Sequence, residues 1–124
     1  MADIFHGKRV LFVEDEPLVA MVVEEALESY GAVVNHARSI DEALAALEAE
    51  TDVAAAVLDI NLRGQLSWPI AEALRERGIP FLVTTGYGET MSNQAPEAPL
   101  LPKPYSIADL LKQLQALLAA DRHA

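Results

Sequence analysis

The feature that most constrains the fold is an uninterrupted apolar run of six residues, Val53 to Leu58, which is bounded by Asp52 and Asp59. A strand with one solvated face alternates apolar and polar side chains, whereas a continuous apolar run of this length is typical of a strand covered by helices on both faces. Such strands belong to parallel sheets of α/β proteins. The run therefore predicts the central strand of a parallel sheet.

Segments of strand and helix character alternate on both sides of this run. Further short apolar runs occupy residues 10–13, 32–34, 81–83 and 100–101. Helix starts are indicated by Pro17, by the capping box that begins at Ser39, by Ser67 followed by Pro69, and by Ser106. This alternation predicts right-handed crossovers and a doubly wound α/β sandwich, with a five-stranded parallel sheet between helices on both faces.

Two segments differ in how well they match a helix pattern. Apolar residues at 19, 22, 23, 26, 27 and 30 recur at helical spacing, so they are predicted to face the sheet, and Gly31 is placed to end that helix. Residues 86–99, in contrast, contain two glycines, two prolines and few apolar residues. This interval predicts a loop or one helical turn where the alternation requires a fourth helix, which is therefore short or absent.

Composition excludes several classes of function. Nine Lys and Arg stand against 19 Asp and Glu, and the formal net charge of −10 disfavours nucleic acid and anionic membrane surfaces as ligands. No apolar run approaches the roughly 20 residues of a membrane span, and the first residues lack the charge order of a signal peptide. The absence of cysteine excludes disulfides and cysteine zinc sites. We expect a cytoplasmic protein.

Charged and hydroxyl side chains follow four of the predicted strands: Glu14 and Asp15, Asp59, Thr84 and Thr85, and Lys103. Ligands of open parallel sheets bind outside the carboxyl ends of the strands, so these side chains are expected to converge. Three neighbouring carboxylates need a cation to offset their repulsion, and oxygen ligands suit Mg²⁺. An ionised Asp59 can attack phosphorus without a general base, and Lys103 would stabilise charge on the phosphoryl oxygens.

Four motifs together resemble the response regulator receiver domain of two-component signalling. They are Val-Glu-Asp-Glu-Pro at 13–17, Val-Leu-Asp-Ile-Asn at 57–61, Thr-Thr-Gly at 84–86 and Leu-Pro-Lys-Pro-Tyr at 101–105. Each is weak alone, but the four in this order are specific, and the resemblance covers essentially the whole chain. It implies a flavodoxin-like fold with strand order 2-1-3-4-5, and a single receiver domain over residues 1–124 with no output domain.

The resemblance also implies a role for each site residue. Asp59 would be the phosphoacceptor, and Glu14 and Asp15 the acidic pair at a Mg²⁺ ion. Asp59 and the backbone carbonyl of Asn61 would complete the protein ligands of that ion. Lys103 would pair with the phosphoryl group.

The switch elements of the family are matched in part. Thr85 fits the switch hydroxyl better than Thr84, because a small residue follows it, and Pro104 would follow a cis peptide bond. Leu100 stands where the family usually carries a switch aromatic. The Thr-Gly-Tyr-Gly string at 85–88 resembles a branch of single-domain regulators, known mainly from alphaproteobacteria, with a reduced fourth helix. Tyr87 is then a candidate to replace the aromatic.

The leading hypothesis is a stand-alone phosphoacceptor switch that is not an enzyme on external substrates. A histidine kinase or histidine phosphotransfer protein would supply the phosphoryl group, and an unknown downstream protein would respond to it. We expect a monomer or weak homodimer, with no nucleic acid or membrane partner.

Other functions remain open alternatives. One is a receiver-like interaction module that works without phosphorylation. Another is a small phosphatase or phosphotransferase with an Asp-x-Asp motif, although Asn61 occupies the second acidic position. A flavin binder is disfavoured because no long phosphate loop follows the first strand. The isolated histidines His6, His36 and His123 are assigned no role.

Overall fold

A computed structural model describes residues 4–86 and 98–121. No helix in this described part of the chain is both long and apolar enough to cross a membrane. The elements are β1 Arg9–Val13, α1 Pro17–Ser29, β2 Val33–Ala37, α2 Ile40–Ala49, β3 Val53–Asp59, β4 Asn61–Leu62, β5 Gln65–Leu66, α3 Trp68–Glu76, β6 Phe81–Thr85, β7 Leu100–Pro102 and α4 Ile107–Asp121.

Five of the strands form one parallel sheet in the order β2-β1-β3-β6-β7. Counted within that sheet, the order is 2-1-3-4-5, which confirms the predicted topology. The order reverses between β1 and β3, and in open α/β sheets this reversal opens a crevice at the carboxyl ends of the strands. The remaining strands, β4 and β5, pair antiparallel as a small hairpin directly after β3.

The apolar run that predicted a central strand is β3, which pairs with β1 on one side and β6 on the other. Every β3 residue except Ala54 is buried. One face of the sheet packs against α2 and α3, with Leu47, Ile70 and Leu74 in that core. The other face packs against α1 and α4. The continuous apolar sequence of β3 thus reflects a strand enclosed from both sides.

The face of α1 that meets the sheet differs from the prediction. The structure buries Ala20, Val23 and Leu27, whereas Val22 is 51% exposed and Leu18 is 74% exposed. Apolar residues extend around more of this helix than the sheet and α4 can cover, and the covered stripe runs through the small side chain of Ala20. Part of the predicted inward stripe is therefore exposed apolar surface.

Two further predictions need correction. The second strand was predicted at 32–34 but extends from Val33 to Ala37, because pairing with β1 holds Asn35 and His36 in the sheet despite their polar side chains. Ser67 precedes α3 as predicted, yet its hydroxyl makes no capping bond to the helix. It donates instead to the carbonyl of Ile60 at 3.3 Å, which ties the start of α3 to the end of β3.

The interval predicted to lack a full fourth helix is only partly covered. Residues 87–97 lie outside the described residues, and so does the prediction that Tyr87 replaces the switch aromatic. Gly86, Ala98 and Pro99 belong to no helix or strand. Leu100 begins β7 and is 43% exposed.

Candidate functional site

The sheet itself places the acidic side chains. Glu14 directly follows β1, and its N–H donates to the carbonyl of Ala37 at 3.0 Å, continuing the ladder with β2. Asp59 is the last residue of β3 and pairs in register with Thr84 of β6. The adjacent strands β1 and β3 therefore deliver the two carboxylates to the same edge, on backbone that is fixed by ladder hydrogen bonds.

Glu14, Asp15 and Asp59 each offer a carboxylate oxygen, and these oxygens lie within 4.8 Å of one another. Glu14 and Asp59 are buried, and the Asp15 side chain is 17% exposed. The Oε1 atom of Glu14 is buried without a hydrogen-bond partner among the described residues. Because a buried carboxylate oxygen is rarely left without a donor or cation, this donor set fits a hard divalent ion such as Mg²⁺.

Lys103 lies across from two of the carboxylates. Its Nζ donates to Oδ2 of Asp59 at 2.9 Å and lies 3.6 Å from Oε1 of Glu14. Its backbone N–H donates to the carbonyl of Thr85, and the Lys103–Pro104 peptide bond is cis, as the resemblance implied. This ammonium group therefore contacts two of the three carboxylates and leaves Asp15 without its charge.

Burial dominates the electrostatics of this site. Burial, reinforced by the charge of Asp59, raises the pKa of Glu14 from 4.5 to about 7. Burial also raises the pKa of Asp59 above its ordinary value, although the hydrogen bond and charge of Lys103 oppose the change. For Lys103, burial would lower the pKa, but the hydrogen bond and charge of Asp59 outweigh it and the pKa is raised. The acids therefore carry a desolvation cost that a bound cation would relieve.

Asn61 and Thr85 are brought to the same edge with different contacts. The backbone N–H of Asn61 donates to Oδ1 of Asp59 at 3.3 Å, and its side-chain oxygen accepts from the N–H of Gly64 at 2.7 Å. That side chain is thus engaged in the β4–β5 turn, and metal binding by the Asn61 carbonyl stays a prediction. Thr85 ends β6 and is buried, as is Thr84. The choice of Thr85 as the switch hydroxyl also stays a prediction.

Three residues at this edge were not assigned from the sequence. His36 has Nε2 at 2.8 Å from the carbonyl oxygen of Glu14. Arg63, which has a positive φ of 54°, has Nε at 4.0 Å from Oδ2 of Asp15. The Tyr105 hydroxyl is buried without a hydrogen-bond partner among the described residues, and burial raises its pKa to about 12. Two of them carried a sequence signal: His36 continues the period-two face of Ala32 and Val34, and Tyr105 ends the Leu-Pro-Lys-Pro-Tyr motif.

An apolar groove of about 560 Å³ adjoins the acidic site. Leu18 and Val22 of α1 line it together with Ile107 of α4, and Lys103 and Tyr105 connect it to the site. The exposed side chains of Leu18 and Val22 are the part of α1 that the sheet does not cover. This apolar surface therefore extends from α1 to Lys103 at the acidic site.

Comparisons with known proteins agree on one family. Residues 10–115 match the family described as the response regulator receiver domain. The solution structure of SdrG from Sphingomonas melonis Fr1 is 39% identical, with a TM-score of 0.78 over 95% of this chain and 99% of that one. The response regulator PhyR from Brucella abortus is 30% identical, with a TM-score of 0.81 over 98% of this chain and 52% of that one.

Curated relatives are longer than the matched region. The response regulator RppA from a Synechocystis species is 32% identical over 116 residues, which are 88% of this chain and 50% of RppA. The transcriptional regulatory protein TcrA from Mycobacterium tuberculosis is 31% identical over 117 residues, which are 90% of this chain and 46% of TcrA. The chain therefore spans about half the length of these relatives, and their whole-protein activities do not transfer to it.

Proposed function

The chain belongs to the response regulator receiver family, whose members typically act as signalling switches, and we propose that it accepts a phosphoryl group on Asp59. The donor would be a phosphohistidine on a histidine kinase or a histidine phosphotransfer protein. The observation that carries the proposal is the buried Asp59 carboxylate, held by the Lys103 ammonium at 2.9 Å beside two further carboxylates.

The transfer would proceed by direct attack. A carboxylate oxygen of Asp59 forms a bond to phosphorus while the phosphorus–nitrogen bond of the phosphohistidine breaks, and the electron pair leaves on the imidazole nitrogen. Lys103, which now donates to Asp59, would pair with the phosphoryl oxygens after transfer. The N–H of Asn61 would continue to orient the carboxyl group through Oδ1 of Asp59.

The acidic residues would hold Mg²⁺ at this site. Asp15, Asp59 and the carbonyl of Asn61 are the proposed ligands, and Glu14 supplies the buried oxygen that lacks a hydrogen-bond partner. When bound, Mg²⁺ neutralises the carboxylates and the charge on the phosphoryl oxygens. Burial, reinforced by the charge of Asp59, raises the pKa of Glu14, and a bound cation would offset this cost of keeping Glu14 ionised.

The response to phosphorylation is proposed to begin at Thr85. Its carbonyl accepts the backbone N–H of Lys103, so the ends of β6 and β7 are tied together beside Asp59. A Thr85 hydroxyl drawn to the phosphoryl group would move the start of residues 86–99. The partner protein would recognise the changed conformation.

The apolar groove gives the phosphodonor a place to bind. Any protein that brings phosphohistidine to Asp59 must cover the surface around it, and the groove runs from Lys103 to the exposed Leu18 and Val22 of α1. Replacing both apolar residues with Ser would slow transfer from a protein donor. Labelling by a small phosphodonor would stay unchanged.

Acetyl phosphate with Mg²⁺, followed by intact mass measurement, tests the proposal. The wild-type protein should gain one hydroxylamine-labile phosphoryl group, and Asp59→Asn should gain none. Asp52→Asn is the matched control, because Asp52 flanks the other end of the same strand, and it should be labelled like the wild type. Labelling of Asp59→Asn would contradict the assignment, and an unlabelled wild type would favour an interaction module that works without phosphorylation.

A further inference from the structure

The backbone carbonyl of Glu14 lies where the ladder between β1 and β2 runs out. The Glu14 N–H still bonds to Ala37, but β2 ends at Ala37 and the chain enters α2 at Ile40. A regular parallel ladder would bring a backbone N–H of the next β2 residues to the Glu14 carbonyl. A side chain makes this contact instead, because Nε2 of His36 lies 2.8 Å from the carbonyl oxygen.

In this hydrogen bond His36 must be the donor, and its ring is held in place by a neighbouring side chain. A carbonyl oxygen only accepts, so Nε2 of His36 must carry the hydrogen. The His36 ring packs against Phe12, with ring centroids 6.0 Å apart, and the two residues are partners in the β1–β2 register. Since Glu14 has no exposed surface, water cannot replace the ring as donor without a rearrangement.

The Glu14 carbonyl belongs to the peptide unit that joins Glu14 to Asp15, so its direction sets how the chain leaves β1. The turn is closed further along by Oε2 of Glu14, which accepts the N–H of Glu16 at 3.2 Å. We infer that His36 is a positioning residue for the acidic pair: by holding the Glu14 carbonyl, it fixes the turn that directs the carboxylates of Glu14 and Asp15 toward Asp59. His36 acts through the backbone and is not itself a ligand.

This inference rests on the proposed function, because its consequence is the affinity of the acidic site for Mg²⁺. His36→Phe keeps a ring of similar size but removes the N–H, and His36→Gln restores an N–H donor. Asn35→Leu is the matched control, since it removes one strand side-chain hydrogen bond, from Nη1 of Arg9 at 2.7 Å, away from the acidic turn. Calorimetric titration with Mg²⁺ gives the affinity, and urea unfolding in EDTA gives the stability of each variant.

We expect His36→Phe to weaken Mg²⁺ binding about tenfold or more, the usual effect of losing a residue that orients metal ligands. His36→Gln should recover most of the affinity, and Asn35→Leu should bind Mg²⁺ like the wild type even if its urea midpoint falls. Wild-type affinity in His36→Phe would overturn the inference, as would equal losses in the Phe and Gln variants or an equal loss in Asn35→Leu. A positioning role, as opposed to a merely structural one, is supported when His36→Phe loses affinity, His36→Gln recovers it and Asn35→Leu binds Mg²⁺ like the wild type.

If the variants fail to fold, a measurement on the wild-type protein still tests the inference. The ring nitrogen spectrum of His36 at mildly alkaline pH should place the hydrogen on Nε2, and a hydrogen on Nδ1 alone would overturn the inference. Failure of the two claims is also distinguishable. A wild type that binds no Mg²⁺ contradicts the proposed function, whereas normal Mg²⁺ binding in both wild type and His36→Phe contradicts only the role of His36.

Discussion

The two ends of the sheet each set one cationic side chain between two carboxylates, yet they differ in how much water reaches them. At the end where β1 and β3 begin, Nε of Arg9 lies 2.8 Å from Asp52 and 3.6 Å from Glu50. The side chain of Asp52 is 67% exposed. Water reaches Asp52, so its ion pair with Arg9 is screened and adds little to the free energy of unfolding.

At the carboxyl end, Lys103 faces Asp59 and Glu14 at similar distances, but both acids are buried and Asp15 adds a third carboxylate. Burial raises the pKa of Glu14 and of Asp59. Ion-pair geometry alone therefore does not distinguish the two clusters. Burial of the acids does, because desolvated carboxylates carry a cost that a metal ion or phosphoryl chemistry can relieve.

The largest expected effect distinguishes Lys103 from Arg9, the cationic side chains at the two ends of the sheet. Lys103→Ala should slow labelling by acetyl phosphate about 100-fold or more, since it removes the group proposed to stabilise charge on the phosphoryl oxygens, while saturable Mg²⁺ binding is retained. Arg9→Ala should be labelled at the wild-type rate. Intact mass measured over time gives both rates. Loss of Mg²⁺ binding in Lys103→Ala would mean that the lysine supports the carboxylates rather than the transfer.

The second prediction concerns pH and stability in the absence of Mg²⁺. Folded Glu14 holds its proton up to about pH 7, whereas the unfolded chain releases it near 4.5. Raising the pH through this window therefore favours the unfolded chain, and the contribution of Glu14 to the free energy of unfolding falls by on the order of 3 kcal/mol. The raised pKa of Asp59 acts in the same direction.

Urea unfolding in EDTA across this pH range measures the loss. Glu14→Gln should flatten the decline, because the amide has no proton to release, and Glu50→Gln at the other end of the sheet should leave it in place. If Glu14→Gln declines as steeply as the wild type, the burial of Glu14 is not the source of the pH dependence.

The third prediction concerns the stabilisation of the folded protein by bound Mg²⁺. Saturating Mg²⁺ should raise the free energy of unfolding at neutral pH, by about 2.7 kcal/mol at a concentration of 100 times Kd. Asp15→Asn should lose this gain, and Asp52→Asn should keep it. Stabilisation of Asp15→Asn equal to that of the wild type would move the metal away from the acidic pair.

The sequence predicts the cluster around Lys103 but not the cluster around Arg9. Glu14, Asp59 and Lys103 could be placed together because each directly follows an apolar strand run or lies within a specific motif, and parallel strands end at one edge. The Arg9 cluster could not, because it depends on the β1–β3 register, which includes a shift between Arg9 and Val10. Such a shift depends on how the two strands pair in space and cannot be located from the sequence of either strand alone.

The misses within the fold have the same origin. Asparagine is depleted in strands and His36 is polar, but pairing with β1 extends β2 through Asn35 and His36. The covered face of α1 passes through Ala20 instead of Val22 because the sheet and α4 determine which side is buried. His36 is isolated from the site motifs in sequence, whereas its contact with Glu14 follows from strands that are neighbours in space.

The smallest expected effect concerns the exposed cluster itself. Asp52→Asn removes the charge opposite Arg9, but the Asp52 side chain is 67% exposed, so water already screens the pair. The free energy of unfolding should fall by less than about 1 kcal/mol, and the difference from wild type should shrink as salt is added. Urea unfolding at low and high salt measures both. A larger loss that persists at high salt would show that the Arg9–Asp52 pair behaves like a buried ion pair. An effect that is independent of ionic strength cannot come from charges that water and salt screen.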